Sequence, residues 1–140
     1  MQVRDVMSRQ VQATTPHTTL REAAELMKKL DVGTLPVCDG DQLIGMITDR
    51  DITVRAVAEG EDCFAGKVRD VMSMDVAFCH EEDDLTVATR LMREKQVRRL
   101  PVLSRDKRLV GIITLGDVAL NAGDMQASAQ TLQAVSEPNR

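Results

Sequence analysis

Residues 3–8 read Val-Arg-Asp-Val-Met-Ser, and the same six letters recur at residues 68–73. Apolar and motif residues after the hexapeptide also recur. The offset is 65 positions for pairs such as Leu35 with Leu100 and Pro36 with Pro101. After one inserted residue it is 66, as for Gly45 with Gly111, Thr48 with Thr114 and Asp51 with Asp117. A duplication of this length predicts two copies of one folding unit, packed about a pseudo-two-fold axis so that each covers apolar surface of the other. Such an axis would also create symmetry-related clefts, where small ligands commonly bind.

The composition narrows the class of protein. The chain has 140 residues, 43% of them apolar, with no Trp or Tyr and a net charge of −4, which fits one compact domain with an aliphatic core. The absence of a long basic run argues against a nucleic-acid or membrane partner. We find no signal-peptide pattern and no apolar run near the ~20 residues of a membrane helix, so we expect a cytoplasmic protein. Three cysteines without a CxxC motif predict reduced thiols; they are Cys38, Cys63 and Cys79.

Each copy predicts the order strand, helix, strand, strand, helix. Thr19 is expected to cap the first helix, because Glu22 follows at the spacing of a capping box. The first copy is predicted to have a strand at 11–13, a helix from residue 20, a hairpin of strands at 35–38 and 43–47, and a helix from 49 to about 58. The second copy gives 76–78, 85–95, 100–103, 109–114 and 115–122. Residues 59–66 are predicted to form a linker, and residues 123–140 a polar tail that is either a frayed helix or disordered.

The most informative motif is Gly-x-Ile-Thr-x-x-Asp, which spans residues 45–51 and again 111–117. It lies where a predicted strand is followed by a helix, and a helix start attracts anions. The Asp can accept hydrogen bonds from a sugar diol, the Thr can donate to a phosphate, and Arg50 can neutralise that phosphate. The motif therefore suits a ribose with a phosphate beside it. A purely structural alternative is that the Thr caps the helix and the Asp complements its dipole.

In their order and duplication, the Val-x-Asp-Val-Met-Ser opening, the Leu-Pro-Val strand and the Gly-x-Ile-Thr-x-x-Asp motif resemble a tandem pair of CBS (cystathionine beta-synthase) domains, called a Bateman module. The resemblance covers about residues 1–122. It implies an α+β fold of two pseudo-symmetric β-α-β-β-α units packed sheet to sheet. The implied division is repeat 1 at 1–58, a linker at 59–66, repeat 2 at 67–122 and a tail at 123–140. It also implies a stand-alone regulatory module rather than an enzyme, which forms a homodimer and acts on a regulated protein that the sequence does not name.

The resemblance further implies two clefts for an adenosine-containing ligand, such as AMP, ATP, NADH or S-adenosylmethionine. AMP and ATP are favoured as regulatory ligands, and no cofactor is required. By position, the preferred cleft would use Thr14, Thr15, Pro16, Arg98, Arg99, Leu100, Thr114 and Asp117. The second would use Gly33, Thr34, Leu35, Thr48, Arg50, Asp51, Cys79, His80 and Glu81. The first is preferred because the second lacks the Pro and places a carboxylate, Glu81, where a phosphate or base would lie.

Two other functions remain open at this stage. One alternative is an interaction or stress-response module that holds no nucleotide and senses a metal or thiol oxidation through its cysteines, with Cys79 and His80 as two adjacent candidate metal ligands. An enzyme such as a nucleotide hydrolase is less favoured, because neither His17 nor His80 has the partners of a catalytic triad. The segment from Gly60 to Val68 also departs from a P-loop in spacing and lacks its Ser or Thr.

Overall fold

The computed structural model describes residues 1–121 and 125–137, with the side chains of all of these except residues 125–128. The chain forms two compact units. We call residues Gln12–Val76 the N-terminal unit, and Met1–Val11 together with the described part of Ala77–Arg140 the C-terminal unit. The predicted helix end at residue 122, residues 123–124 and the final tail residues 138–140 lie outside the described residues.

The N-terminal unit packs four helical segments around a two-stranded hairpin. Its elements are α1 (Leu20–Leu30), β1 (Thr34–Asp39), β2 (Gln42–Thr48), α2 (Asp49–Asp51), a π-helical continuation Ile52–Val57, and a 3-10 turn Val68–Asp70. Thr19 caps α1 as predicted, since its Oγ1 accepts from the Glu22 N–H at 3.1 Å. The chain leaves α1 through Asp31, which has the left-handed φ of 54° typical of helix ends.

The apolar face of α1 covers the hairpin. β1 and β2 are antiparallel and pair Leu35 with Ile47, and Gly40 takes a φ of +62° in the tight turn between them. The predicted hairpin is therefore present, with strands slightly longer than expected. The buried core of this unit consists of Leu20, Ala23, Met27, Leu35, Val37, Ile47, Ile52, Ala56, Val68 and Val71.

The C-terminal unit repeats this plan with one added strand and one added helix. Its elements are a 3-10 turn Val3–Asp5, β3 (Cys79–His80), α3 (Leu85–Lys95), β4 (Arg99–Leu103), β5 (Leu109–Thr114), α4 (Leu115–Asn121) and α5 (Met125–Ser136). The short β3 runs parallel to β4, and β4 is antiparallel to β5. Asp84 caps α3 by accepting from the Thr86 N–H at 3.1 Å, and this hydrogen bonding holds the pKa of Asp84 below its ordinary value. The core centres on Met92, Leu100, Val102 and Ile113.

The duplicated hexapeptides are exchanged between the repeats. Residues 3–8 begin the first repeat along the chain, yet Ser8 pairs with Ile112 of the second through N–H···O bonds of 2.8 and 2.9 Å. In the same way Ser73 pairs with Met46 through two bonds of 2.9 Å. Val3 and Val68 are fully buried in the C-terminal and N-terminal units respectively. The compact units therefore do not follow the repeat boundaries along the chain.

The predicted first strand of each repeat is three residues too early. Residues 11–13 form no strand; instead Thr14 makes a parallel bridge to Val37. In the second repeat the strand is Cys79–His80, and not residues 76–78. Thr14 and Cys79 occupy equivalent positions, and both are nearly inaccessible, whereas Phe78 is 40% exposed. The prediction placed each strand on the run of apolar residues. Which residues of these short strands are buried is decided instead by pairing, of Thr14 with Val37 and of Cys79 with Val102.

The tail contains a packed helix. The sequence predicted either a frayed helix or disorder after residue 122, because the segment is polar. α5 instead packs on α3 and α4, with Thr131 fully buried and Val135 against the core. In the described residues, no helix is long and apolar enough to cross a membrane.

Candidate functional site

The Thr and Asp of the repeated motif cap their helices reciprocally. Asp117 Oδ2 accepts from the Thr114 N–H at 2.9 Å, and Thr114 Oγ1 accepts from the Asp117 N–H at 3.0 Å. Thr48 and Asp51 make the same two bonds at 2.9 and 3.0 Å. The structural alternative thus accounts for both residues in both repeats. A ligand role must rest on the carboxylate oxygen that the cap does not use.

That remaining oxygen differs between the repeats. Asp51 Oδ1 lies 3.8 Å from Arg55 Nε, which is one turn further along the helix. The equivalent of Arg55 is Asn121, whose Nδ2 donates instead to the Asp117 backbone carbonyl at 2.8 Å. Within the described residues, Asp117 Oδ1 therefore has no hydrogen-bond or ion-pair partner. It can accept from a ligand hydroxyl without breaking an existing contact.

The C-terminal unit holds a cleft of about 530 Å³ beside this motif, a volume within the usual range for small-molecule sites. Arg98, Arg99 and Thr114, three of the predicted site residues, line it. The remaining lining residues are small or apolar: Leu115, Gly116, Ala119, Ala129 and Leu132. The cleft thus combines two cations and a hydroxyl with an apolar side.

Leu100 and Asp117, which were also predicted for this cleft, do not line it. Leu100 is fully buried in the core, so only its backbone is available to a ligand. Asp117 is not among the lining residues, and it positions Thr114 from the first turn of α4. Ala129 and Leu132 were missed by the sequence reading, because α5 was expected to be a polar tail.

The corresponding cleft of the N-terminal unit is smaller and more acidic. It encloses about 450 Å³, and its lining includes Asp31 and Asp49 against a single cation, Lys28. Of the predicted second-cleft residues only Gly33 lines it. Leu35 is buried in the core, Thr34 begins β1, and Arg50 is exposed to solvent. Adjacent carboxylates disfavour a phosphate.

The Thr14-Thr15-Pro16 turn belongs to the N-terminal unit. Thr14 is buried, with its N–H donating to the Pro36 carbonyl at 2.9 Å, and Thr15 shares a hydroxyl contact of 2.8 Å with Thr18. The Pro16 carbonyl accepts from the Arg69 N–H at 3.1 Å. Arg99 and Thr114 lie in the other unit. That this turn and those two residues share one ligand cleft therefore stays a prediction.

The Cys79-His80-Glu81 segment lies in the C-terminal unit. Burial, with a smaller effect from Asp83, raises the pKa of the Cys79 thiol to about 12, and burial also raises the pKa of Cys38. His80 is exposed, contacts Phe78 edge to face and has Asp83 3.8 Å from its Nδ1. In the described part of the chain, no three His, Cys, Asp or Glu side chains gather where they could hold a metal.

Comparison with known proteins identifies the family. The CBS domain profile matches residues 3–57 and 68–122, which make up most of the chain. The chain belongs to the CBS domain family. This CBS pair is 39% identical over 137 residues to CBS domain-containing protein YhcV of Bacillus subtilis, with 98% of this chain and 96% of YhcV covered. The predicted family and its α+β class are confirmed.

Two similar proteins have been described with a ligand. Hypoxic response protein 1 of Mycobacterium tuberculosis is 36% identical, with 96% of this CBS pair and 94% of that protein covered. A crystal structure of Hypoxic Response Protein I with two coordinated zinc ions superposes with a TM-score of 0.79 at 37% identity, covering 86% and 98%. CBSX2 of Arabidopsis thaliana, crystallised in complex with AMP, gives a TM-score of 0.76 at 28% identity, covering 89% and 98%.

Proposed function

We propose that this CBS pair is a regulatory module that binds an adenosine-containing nucleotide, AMP or ATP foremost, in the cleft of the C-terminal unit. The observation that carries the proposal is the grouping of Arg98, Arg99 and Thr114 around a 530 Å³ cleft. The crystallised AMP complex of the similar CBSX2 supports the ligand class. The module has no catalytic role in this proposal and signals by a ligand-dependent shift between conformations.

Each part of the nucleotide has a matching group. The guanidinium groups of Arg98 and Arg99 suit a phosphate, which they can bind through several N–H donors. Thr114 lines the cleft, and Asp117 Oδ1, which the cap does not use, suits a ribose hydroxyl because the chain neighbour Gly116 also lines the cleft. The base has no Trp or Tyr to stack on in this chain. It must therefore pack on aliphatic side chains such as Leu115.

Asymmetry between the two units favours one nucleotide per chain. The N-terminal cleft is lined by Asp31 and Asp49, which stand at the positions of Gln96 and Leu115 in the other repeat. Arg98 is replaced there by Gly33, so a phosphate would meet two carboxylates without a matching arginine. Binding of a second nucleotide in this cleft should be weaker by far.

Isothermal titration with AMP, ATP, NADH and S-adenosylmethionine tests the proposal. Absorbance near 260 nm of the freshly purified protein adds a direct test, because a chain without Trp or Tyr absorbs little in the near ultraviolet. Arg99→Ala should weaken binding about tenfold or more, as loss of one charge-assisted contact predicts. Arg90→Ala is the matched control, since Arg90 is exposed on α3 and pairs with Glu94 at 3.9 Å. Equal affinities of the two variants would contradict the assignment.

Zinc sensing is the second candidate, motivated by the zinc-bound structure of Hypoxic Response Protein I. The structure favours it less, because Cys79 is buried while the adjacent His80 is exposed, and no three His, Cys, Asp or Glu side chains gather around them in the described part of the chain. Zinc content of the purified protein by plasma mass spectrometry, with and without chelator dialysis, separates the two functions. One tightly held zinc per chain and no nucleotide binding would replace the nucleotide proposal.

We also propose a homodimer formed through outward helix faces. Val54 follows α2 and Leu120 lies on α4 at equivalent repeat positions, and both are exposed, by 44% and 87%. Exposed apolar side chains at matching places suit a symmetric interface. Light scattering after size-exclusion chromatography should give twice the 15.5 kDa chain mass, and Leu120→Glu should shift it toward monomer. A monomeric parent protein would refute the proposal.

A further inference from the structure

α5 is fixed to the C-terminal unit by side chains of α3 and the residues after it. Arg93 Nη1 donates to Thr131 Oγ1 at 3.3 Å, and the contact lies where Thr131 is fully buried. Gln96 Nε2 donates to the carbonyls of Ala134 and Glu137 at 3.4 and 3.2 Å. Ala134 lies in the last turn of α5 and Glu137 directly follows it, where few helix carbonyls find a partner within the helix. The helix is therefore docked by specific polar contacts as well as by Val135 against the core.

The first repeat lacks the residues that hold α5. Lys28, Asp31 and Gly33 stand at the positions of Arg93, Gln96 and Arg98. Asp31 carries no donor for helix carbonyls, and Gly33 has no side chain. In the N-terminal unit the equivalent groove is the open 450 Å³ cleft lined by these same three residues. The docking of α5 is thus specific to one of two otherwise similar grooves.

α5 also forms one side of the candidate nucleotide cleft. Ala129 and Leu132 line it together with Thr114 and Gly116. Leu132 is 47% exposed, so a ligand in the cleft has apolar surface of α5 left to cover. Arg98 connects both features, because it lines the cleft while its Nη2 donates to Ser136 Oγ at 3.4 Å.

We propose that α5 supplies a specificity-determining wall of this cleft, through Leu132 and Ala129, so that ligand binding and α5 docking stabilise each other. The inference rests on the proposed function for the identity of the ligand. A ligand with an anionic end at the arginines would place its apolar body against Leu132. Burial of that surface favours the bound state only while α5 is docked, and by linkage the ligand then favours docking.

The test compares two charge substitutions on neighbouring α5 positions. Leu132→Asp places a carboxylate in the cleft wall and should weaken binding of AMP or ATP by about tenfold or more, since it removes apolar contact and opposes a phosphate. Gln133→Asp adds the same charge to an exposed position that does not line the cleft and should leave the affinity within about twofold. Circular dichroism checks that both variants keep their helix content.

Hydrogen exchange of the unsubstituted full chain provides the second readout. Addition of saturating AMP should slow exchange of the α5 amides at residues 131–136, and the slowing should be clearly smaller in Leu132→Asp at the same AMP concentration. No binding of AMP, ATP, NADH or S-adenosylmethionine to the unsubstituted chain would overturn the proposed function and the coupling together. Binding with equal affinity in Leu132→Asp and Gln133→Asp, or without slower exchange in α5, would overturn the coupling and leave the proposed function standing.

Discussion

Gly111 is the residue whose replacement should most clearly expose how the opening hexapeptide is held. A Cβ built on Gly111 would lie 2.6 Å from Met7 Sδ and 2.8 Å from the Ser8 carbonyl oxygen. The methionine side chain can turn away, but the carbonyl is backbone. It is also bound to the Ile112 N–H at 2.9 Å. Gly111→Ala therefore requires residues 7–8 to move outward, to the 3.4 Å of an ordinary contact.

The expected cost follows from what that movement breaks. A shift of this size weakens both hydrogen bonds between Ser8 and Ile112, each of which contributes a net of about 1 kcal/mol. Overpacking of a closely packed site costs about 1–3 kcal/mol, and this range includes the same movement. We expect Gly111→Ala to lower the free energy of unfolding by about 2 kcal/mol, which corresponds to about 1 M in the urea midpoint.

Urea unfolding followed by circular dichroism measures this change, because the chain has no Trp for fluorescence. Gly116→Ala is the matched control: its nearest neighbour to a new Cβ is Thr114 Oγ1 at 3.6 Å, and Gly116 lies in α4. Alanine favours a helix over glycine by up to about 1 kcal/mol, so the control should be neutral or more stable.

The equivalent substitution in the other repeat gives an internal scale. At Gly45 the backbone clash is the same 2.8 Å, to the Ser73 carbonyl, while Met72 Sδ is 3.2 Å away and can yield more easily. Gly45→Ala should therefore cost slightly less than Gly111→Ala. A Gly111→Ala protein as stable as Gly116→Ala would refute the argument that the hexapeptide is held by close backbone approach.

Three further predictions concern the cap, a thiol and the compact units. Asp117→Ala and Asp51→Ala should each lower stability by about 1 kcal/mol through loss of a cap, whereas only Asp117→Ala should weaken nucleotide binding; equal loss of affinity in calorimetry would contradict the choice of cleft. Because the pKa of Cys79 is raised to about 12 from 9.0, its contribution to stability is complete below about pH 9 and is lost as pH rises toward 12, by up to about 1.4 kcal/mol per pH unit. Cys79→Ala should flatten the decrease in urea midpoint between pH 8 and 10.5, and an unchanged decrease would count against this assignment. A fragment of residues 12–76 should show more helix and cooperative melting by circular dichroism than residues 1–58, which lack Val68, and the reverse order would contradict the exchange of hexapeptides.

Local patterns in the sequence were sufficient for most elements of both repeats. The α1 start at Leu20, the bounds of α3 and the strand Leu109–Thr114 follow from capping residues and apolar periodicity, and the structure has them as predicted. The reciprocal cap explains why Thr and Asp occur in both repeats without any ligand. Proximity of Arg98, Arg99 and Thr114 could also be predicted, because strand β4 begins where strand β5 ends.

Long-range features could not be predicted in this way. Nothing within residues 3–8 indicates that they pack on the repeat that begins 65 residues later. The docking of α5 depends on partners such as Arg93 and Gln96, about forty residues earlier in the chain. The differences between the repeats did contain a signal for this docking. Arg98 stands where the first repeat has Gly33, and Gln96 stands where it has Asp31. Both replacements add hydrogen-bond donors, which indicates an extra segment for them to bind.

The exchanged hexapeptides also set an order in which the molecule can fold. Every residue of the N-terminal unit has been synthesised once Val76 is added, but Ser8 must wait for Ile112. Closing a loop of that length makes the second event the slower one. Before Ile112 is available, two identical hexapeptides compete for the surface beside β2. If residues 3–8 bind there, residues 68–73 cannot pair with Met46. Refolding should accordingly include a slow phase in which a wrongly placed segment is released, and a different hexapeptide at either position should shorten it.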